Sequence, residues 1–220
     1  MGVFIGLDPG GKSAFGWCVA RDSPALPLLL VASGVCHAAR PAVALAMSAV
    51  PAGEPVLAAG IDAPLVWPRE GGRAVDNVVR AAIRRAGAPH APGTVQSVNS
   101  LRGACLVQGL LAAVELRDRL PSLPLVEAHP KALRWILPEA QTVQAPSQHE
   151  RDALLGTFSA WAAIHRPLTW SDLYEIENPW FSPVAPPLHY FMPIGAAQQL
   201  AAADPAGVRK VGDALPSKLS

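Results

Sequence analysis

Three apolar runs in this chain lead into a carboxylate. Val3–Leu7 runs into Asp8, while Val56–Asp62 and Leu123–Glu127 each end on their acid. A fourth acid, Asp152, falls in the first turns of a helix opened by a Ser147/Glu150 capping box. In an open α/β sheet the carboxyl ends of neighbouring strands converge on one edge, where ligands bind. If the three strands are neighbours, Asp8, Asp62 and Glu127 meet there, and Asp152 joins them from the flanking helix. Such a cluster repels itself: a pair at ~4 Å costs about 4 kcal/mol at an effective dielectric of ~20. Divalent cations or protonation must relieve it. Hard oxygen donors suit Mg²⁺ or Mn²⁺. Two such ions ~3.5–4 Å apart can cleave a phosphodiester, one activating water and the other stabilising the leaving oxygen.

Each acid also has an ordinary reading as a turn or cap residue. Asp8 precedes Pro9, a common turn opener, and Asp152 suits the positive end of a helix dipole. The set, each member closing a strand or opening a helix in the right order, is what points to a site. His149 and Asp152 stand three residues apart, so both can face it; alone, such a histidine is an ordinary surface residue.

The positioning elements follow from pattern. Phe15–Ala20 and Leu28–Cys36 are further strand candidates, so the first three strands could form a meander. Arg73–Ala86 is the clearest amphipathic helix, with Val75, Val78, Val79, Ala82, Ile83 and Ala86 on one stripe and Gly87 as the stop. Further helices are expected over Pro41–Val50, Leu101–Leu120, Pro130–Leu137 and Ser147 to about Ile164. Gly87–Ser100 reads as a loop. The elements point to an α/β domain over residues 1–166, a mixed sheet flanked by helices. Residues 167–220 read as an aromatic, proline-rich extension packed on that domain, with a loose tail from Gly207. Six of the chain's aromatics lie there, among them Trp170, Tyr174 and Tyr190. There is no internal repeat.

Positive charge is local. Arg69, Arg73, Arg80, Arg84 and Arg85 are interrupted only by Glu70 and Asp76. A solvated helix face with an Arg73–Asp76 pair explains most of them. Arg73 begins the helix just after the Asp62 loop, so it is the one to reach a substrate phosphate, and Lys12 is a similar candidate. Trp17 and Trp67 could stack on bases, although burial is the commoner fate of tryptophan.

Gly6-Leu7-Asp8-Pro9-Gly10-Gly11-Lys12-Ser13 also satisfies the Walker A pattern directly after a strand. Asp8 sets a negative charge inside what should be an anion cradle. Phe15, Trp17 and Val19 favour a strand where a P-loop requires a helix. Strand, Gly-Gly turn, strand is the better fit. A P-loop-like or actin-like ATP-binding protein remains the alternative, as does a binding scaffold of the same fold without catalytic activity.

Gly6-Leu7-Asp8-Pro9-Gly10 with Gly16 and Val19 resembles the first hairpin of RuvC-type resolvases in the RNase H-like superfamily. His149-Glu150-Arg151-Asp152-Ala153-Leu154 is similar to their last helix motif. Gly60-Ile61-Asp62-Ala63-Pro64-Leu65, Arg73-x-x-Asp76 and Glu127-x-x-Pro130 look more like the uncharacterised family of predicted RNase H-fold nucleases, domain-of-unknown-function family 429. The resemblance covers roughly residues 3–165. It implies an α/β, RNase H-like mixed five-stranded sheet in the order 3-2-1-4-5, flanked by helices, and a metal-dependent nuclease with Asp8, Asp62, Glu127 and Asp152 as catalytic metal ligands, His149 as a participant, and DNA or RNA as substrate.

Composition sets the remaining bounds. The 220 residues are half apolar, enough for one core. With 18 basic and 17 acidic residues, the overall field does not advertise nucleic acid. Cys18, Cys36 and Cys105 lack the spacing of a disulfide framework or zinc knuckle. No basic n-region opens the chain and no apolar run reaches the ~20 residues of a membrane span. The expectation is a cytoplasmic protein that does not enter membranes.

Overall fold

The computed structural model describes residues 2–11, 13–68, 72–89, 103–177, 181–182 and 184–195. Strands β1 (Val3–Asp8), β2 (Phe15–Arg21) and β3 (Leu29–Cys36) form the expected meander, followed by α1 (Ala39–Ser48) and β4 (Val56–Ile61). Next come α2 (Ala74–Arg85), α3 (Gly103–Arg119), β5 (Leu125–Glu127), α4 (Pro130–Ile136), α5 (Pro138–Gln141) and α6 (Gln148–His165). The chain then adds β6 (Ser171–Asp172), a 3-10 turn over Leu173–Ile176, β7 (Leu188–His189) and β8 (Phe191–Met192).

The result is an α/β mixed sheet of six strands in the order β3-β2-β1-β4-β5-β7. The sequence reading lacks the sixth strand. β7 pairs in parallel with β5, and β6 pairs with β8 in a small second sheet. The segment after Pro167, expected as an irregular extension, therefore completes the main sheet. Its Trp170, Leu173, Tyr190, Phe191 and Met192 join the same apolar cluster as α2, α4 and α6. The expected tail from Gly207, and residues 90–100 of the loop expected over Gly87–Ser100, lie outside the described residues.

Strand alternation divides the core in two. Val3, Ile5 and Leu7 of β1 pack with Ala59 and Ile61 against α1 and α3, whereas Phe4, Ala58 and Val126 pack toward α2, α4 and α6. α6 lies unusually close to the sheet. A Cβ on Gly6 would come 1.9 Å from the Ala153 carbonyl oxygen, and one on Gly60 would come 1.9 Å from that of Gly156. On β2, a Cβ on Gly16 would meet the His149 carbonyl oxygen at 2.1 Å. Three strands thus give up side chains so that the helix backbone can rest on them. Ser147 caps α6 by accepting from the Glu150 amide at 3.2 Å. The Glu150 carboxylate departs from the reciprocal capping box: it accepts from the Ser147 hydroxyl at 2.7 Å and from Ser33 on β3 at 2.8 Å.

The Gly10-Gly11 turn joins β1 to β2, and Asp8 pairs across it with Gly16. A strand follows the turn, which removes the helix N-terminus that a Walker A loop needs. The P-loop alternative therefore fails on geometry.

Candidate active site

β1, β4 and β5 run parallel, so their carboxyl ends share one edge of the sheet. Register sets the acids out along it. Ile61 pairs with Leu7 on one side and with Glu127 on the other. The Asp62 amide donates to the Leu7 carbonyl at 2.9 Å. Asp8 and Asp62 thus occupy equivalent positions one residue beyond that row, on neighbouring strands ~4.8 Å apart. α6, seated on the glycines, carries His149 and Asp152 to the same edge. All four acids and His149 line one cleft of about 190 Å³, together with Asp76, His129, Lys131 and Gln148.

Asp8 Oδ2 lies 2.8 Å from His149 Nδ1 and accepts from it in the tautomer that carries the hydrogen there. Asp152 is held at its helix by Arg151 at 3.1 Å and by Gln148 at 3.4 Å. Asp62 makes no hydrogen bond to any described side chain. Glu127 is the most constrained of the four. Its Oε1 accepts from Arg73, and its Oε2 accepts from the Leu65 amide at 2.9 Å and from the Tyr174 hydroxyl.

Arg73, expected to face a substrate phosphate, is instead fully buried behind Glu127 and does not line the cleft. It lies over the Trp67 ring at 5.4 Å, with Nε 3.8 Å from Asp76 Oδ2. The physical reason lies in the backbone. Arg73 has extended geometry (φ −66°, ψ 127°) ahead of α2, so the helical-wheel position that placed it on a solvated face does not apply. Trp67 and Trp17 are both buried and present no stacking surface. Arg80 turns back onto its own helix, toward the Asp76 carbonyl and Asn77. Lys12 and Arg69 lie outside the described residues.

The acids carry the electrostatic mark of crowding. Burial, then repulsion from Asp152, pushes Asp8 up to about 6, against the pull of His149 and Lys131. Burial and the neighbouring Asp8, Asp152 and Glu127 charges push Asp62 well above the usual carboxylate range. Asp76, only 3% exposed, is raised to about 7 chiefly by burial, with Arg73 opposing. Burial also works against the Arg73 charge, but Glu127 and Asp76 more than offset it and hold the guanidinium ionised. Lys131 was not singled out from sequence. Its signal was present, one place after the Glu127-x-x-Pro130 motif. Tyr174 and Tyr190 had no such signal, since only the tertiary fold brings them to Glu127.

The oxygen donors match a hard divalent cation in kind. They do not form a ready cage: among the described residues, no three acidic, histidine or cysteine groups converge as an ion site. The Asp62 carboxylate, with no hydrogen-bonding partner among the described residues, and Asp8, with one oxygen engaged, are the most available ligands.

A family model described as "Protein of unknown function (DUF429)" matches residues 6–178. The chain belongs to this family. The match spans all four acids and the Tyr174 contact, and it ends past α6 but before β7. No curated protein and no solved structure matches the chain. No described helix is long and apolar enough to cross a membrane.

Proposed function

We propose that this DUF429 chain is a divalent-metal-dependent nuclease that hydrolyses phosphodiester bonds on an RNase H-like sheet. The observation that carries this reading is the meeting of Asp8, Asp62, Glu127 and Asp152 in one cleft at the carboxyl ends of three adjacent parallel strands. The 3-2-1-4-5 strand order with an antiparallel β2 supports the fold assignment, and the raised Asp8 and Asp62 support a need for a cation. Asp8 and Asp62 are the primary ligands for Mg²⁺ or Mn²⁺, with Asp152 and Glu127 alongside. When bound, such ions supply a Lewis acid that activates water and stabilises the leaving oxygen. Arg73 and Tyr174 hold Glu127 as a fixed anion. Asp8 orients the His149 ring through Nδ1, which leaves Nε2 to hold or pass a proton.

A binding scaffold without catalysis is the second reading. It is favoured by the protein donors on both Glu127 oxygens and by the lack of a ready ion cage. Thermal denaturation with Mn²⁺ separates the two. A ligand of the native state alone stabilises by ~2.7 kcal/mol at 100 times its Kd, or about 5–10 °C for a chain of this size. Wild type should show that shift and cleave labelled oligonucleotides, and Asp62→Asn should lose both. Equal shifts in the two proteins would remove the metal site, and a shift with ATP but none with Mn²⁺ would favour the actin-like alternative.

A further inference from the structure

A second depression, of about 510 Å³, adjoins the acid cleft, and Lys131 lines both. Arg134, Trp135 and Gln141 form its other walls. The placement follows from α4, which starts three residues after Glu127. Ala132 and Leu133 turn into the core, so Lys131, Arg134 and Trp135, at helical spacing i, i+3, i+4, share the outer face. Trp135 leaves 40% of its surface in water. Lys131 and Arg134 are exposed and form no ion pair with any described residue; the nearby acid Glu139 pairs with neither. Two uncommitted cations and an open indole thus lead away from a cleft rich in negative charge.

We propose that this face of α4 is a subsite for single-stranded nucleic acid, with phosphates on Lys131 and Arg134 and an unpaired base stacked on Trp135. It rests on the nuclease reading and narrows its substrate. A polyanion needs compensating cations to approach the acids, and Lys131 stands where the two depressions join. An exposed indole can stack on a base only when that base has left its own duplex stack, so the surface selects single strands.

The test is fluorescence anisotropy with labelled oligo(dT), oligo(rU) and a duplex of equal length, in EDTA so that cleavage cannot intrude. Both single strands should bind at least tenfold more tightly than the duplex, and the two arms show which sugar is preferred. Trp135→Ala should weaken single-strand binding by about 5- to 100-fold, while Trp135→Phe retains most of it. Lys131→Ala and Arg134→Ala should each flatten the salt dependence. Equal binding of duplex and single strand overturns the proposal. So does unchanged binding by a Trp135→Ala protein that melts like wild type, or competition by polyglutamate as effective as by oligo(dT). Mn²⁺-dependent cleavage of duplex that ignores Trp135 would sink this subsite and leave the nuclease reading intact. Trp135-dependent binding without cleavage of any strand would do the reverse.

Discussion

Asp76 offers the sharpest test of the electrostatics beneath the cleft. Its side chain is 4% exposed, and its Oδ2 has no hydrogen-bond partner among the described residues, with Arg73 Nε at 3.8 Å, beyond hydrogen-bonding reach. Burial raises its pKa to about 7, from an unfolded value of 3.8. The folded protein therefore keeps this proton where the unfolded chain has released it. The sign follows by linkage: the stabilising contribution is full below about 4 and is lost as pH rises through about 7. Roughly three units at 1.36 kcal/mol each give an upper figure of about 4 kcal/mol. Asp8 and Asp62, raised by the same causes, slope in the same direction. The metal-free protein should thus be markedly more stable at pH 5 than at pH 8.

Asp76→Asn keeps the shape and removes the charge. Half the upper figure, about 2 kcal/mol, is a fair expectation, because relaxation and the lost attraction to Arg73 both reduce the gain. The variant should match wild type at pH 4, melt about 4–8 °C higher at pH 8, and show a shallower pH profile. Differential scanning calorimetry or urea denaturation in EDTA across this range measures it. Parallel profiles for the two proteins would refute the reasoning. A variant less stable than wild type at pH 8 would show instead that attraction to Arg73 outweighs burial.

Arg73→Met leaves the Glu127 charge buried without its cation and should cost about 3–5 kcal/mol in urea denaturation; adding Glu127→Leu should recover a large part. Gly60→Ala drives a methyl group into the Gly156 carbonyl and should cost at least about 1–3 kcal/mol. Because it also lifts α6 from the sheet, the Mn²⁺-induced thermal shift should shrink with it. Asp8→Asn should be neutral or stabilising without metal, since repulsion from Asp152 falls, and should lose the Mn²⁺ shift; a full shift in this variant would remove Asp8 from the site.

The strands that carry the acids were legible because each is a run of apolar residues broken by a turn residue, a signal contained in a few consecutive positions. α2 was legible for the same reason: Val75, Val78, Val79 and Ile83 repeat at the helical period and all are buried. β7 and β8 carry no such signal. Each is two residues long, too short for any periodicity, and Leu188–His189 becomes a strand only because β5 offers it an open edge. A pattern can announce an element that stabilises itself locally; it cannot announce one created by its neighbour.

The same distinction runs through the site. Asp8, Asp62 and Glu127 could be placed together because parallel strands fix where their ends lie. What surrounds them could not, because it depends on which charges end up out of water. Once Glu127 is buried at the β5 end, desolvation demands a cation and donors beside it. Arg73 meets that demand with its guanidinium, and Tyr174 arrives with a hydroxyl from a segment about fifty residues away in sequence. Arg73 is therefore withdrawn from the role its charge suggested. The exposed positive charge of the cleft falls to Lys131, which lies just beyond the strand end and pulls down the pKa of both Asp8 and Asp62. Two of the four acids are thereby tied to protein cations, Glu127 to Arg73 and Asp152 to Arg151, while Asp8 and Asp62 pair with no described arginine or lysine and carry the raised pKa values that a bound cation would relieve.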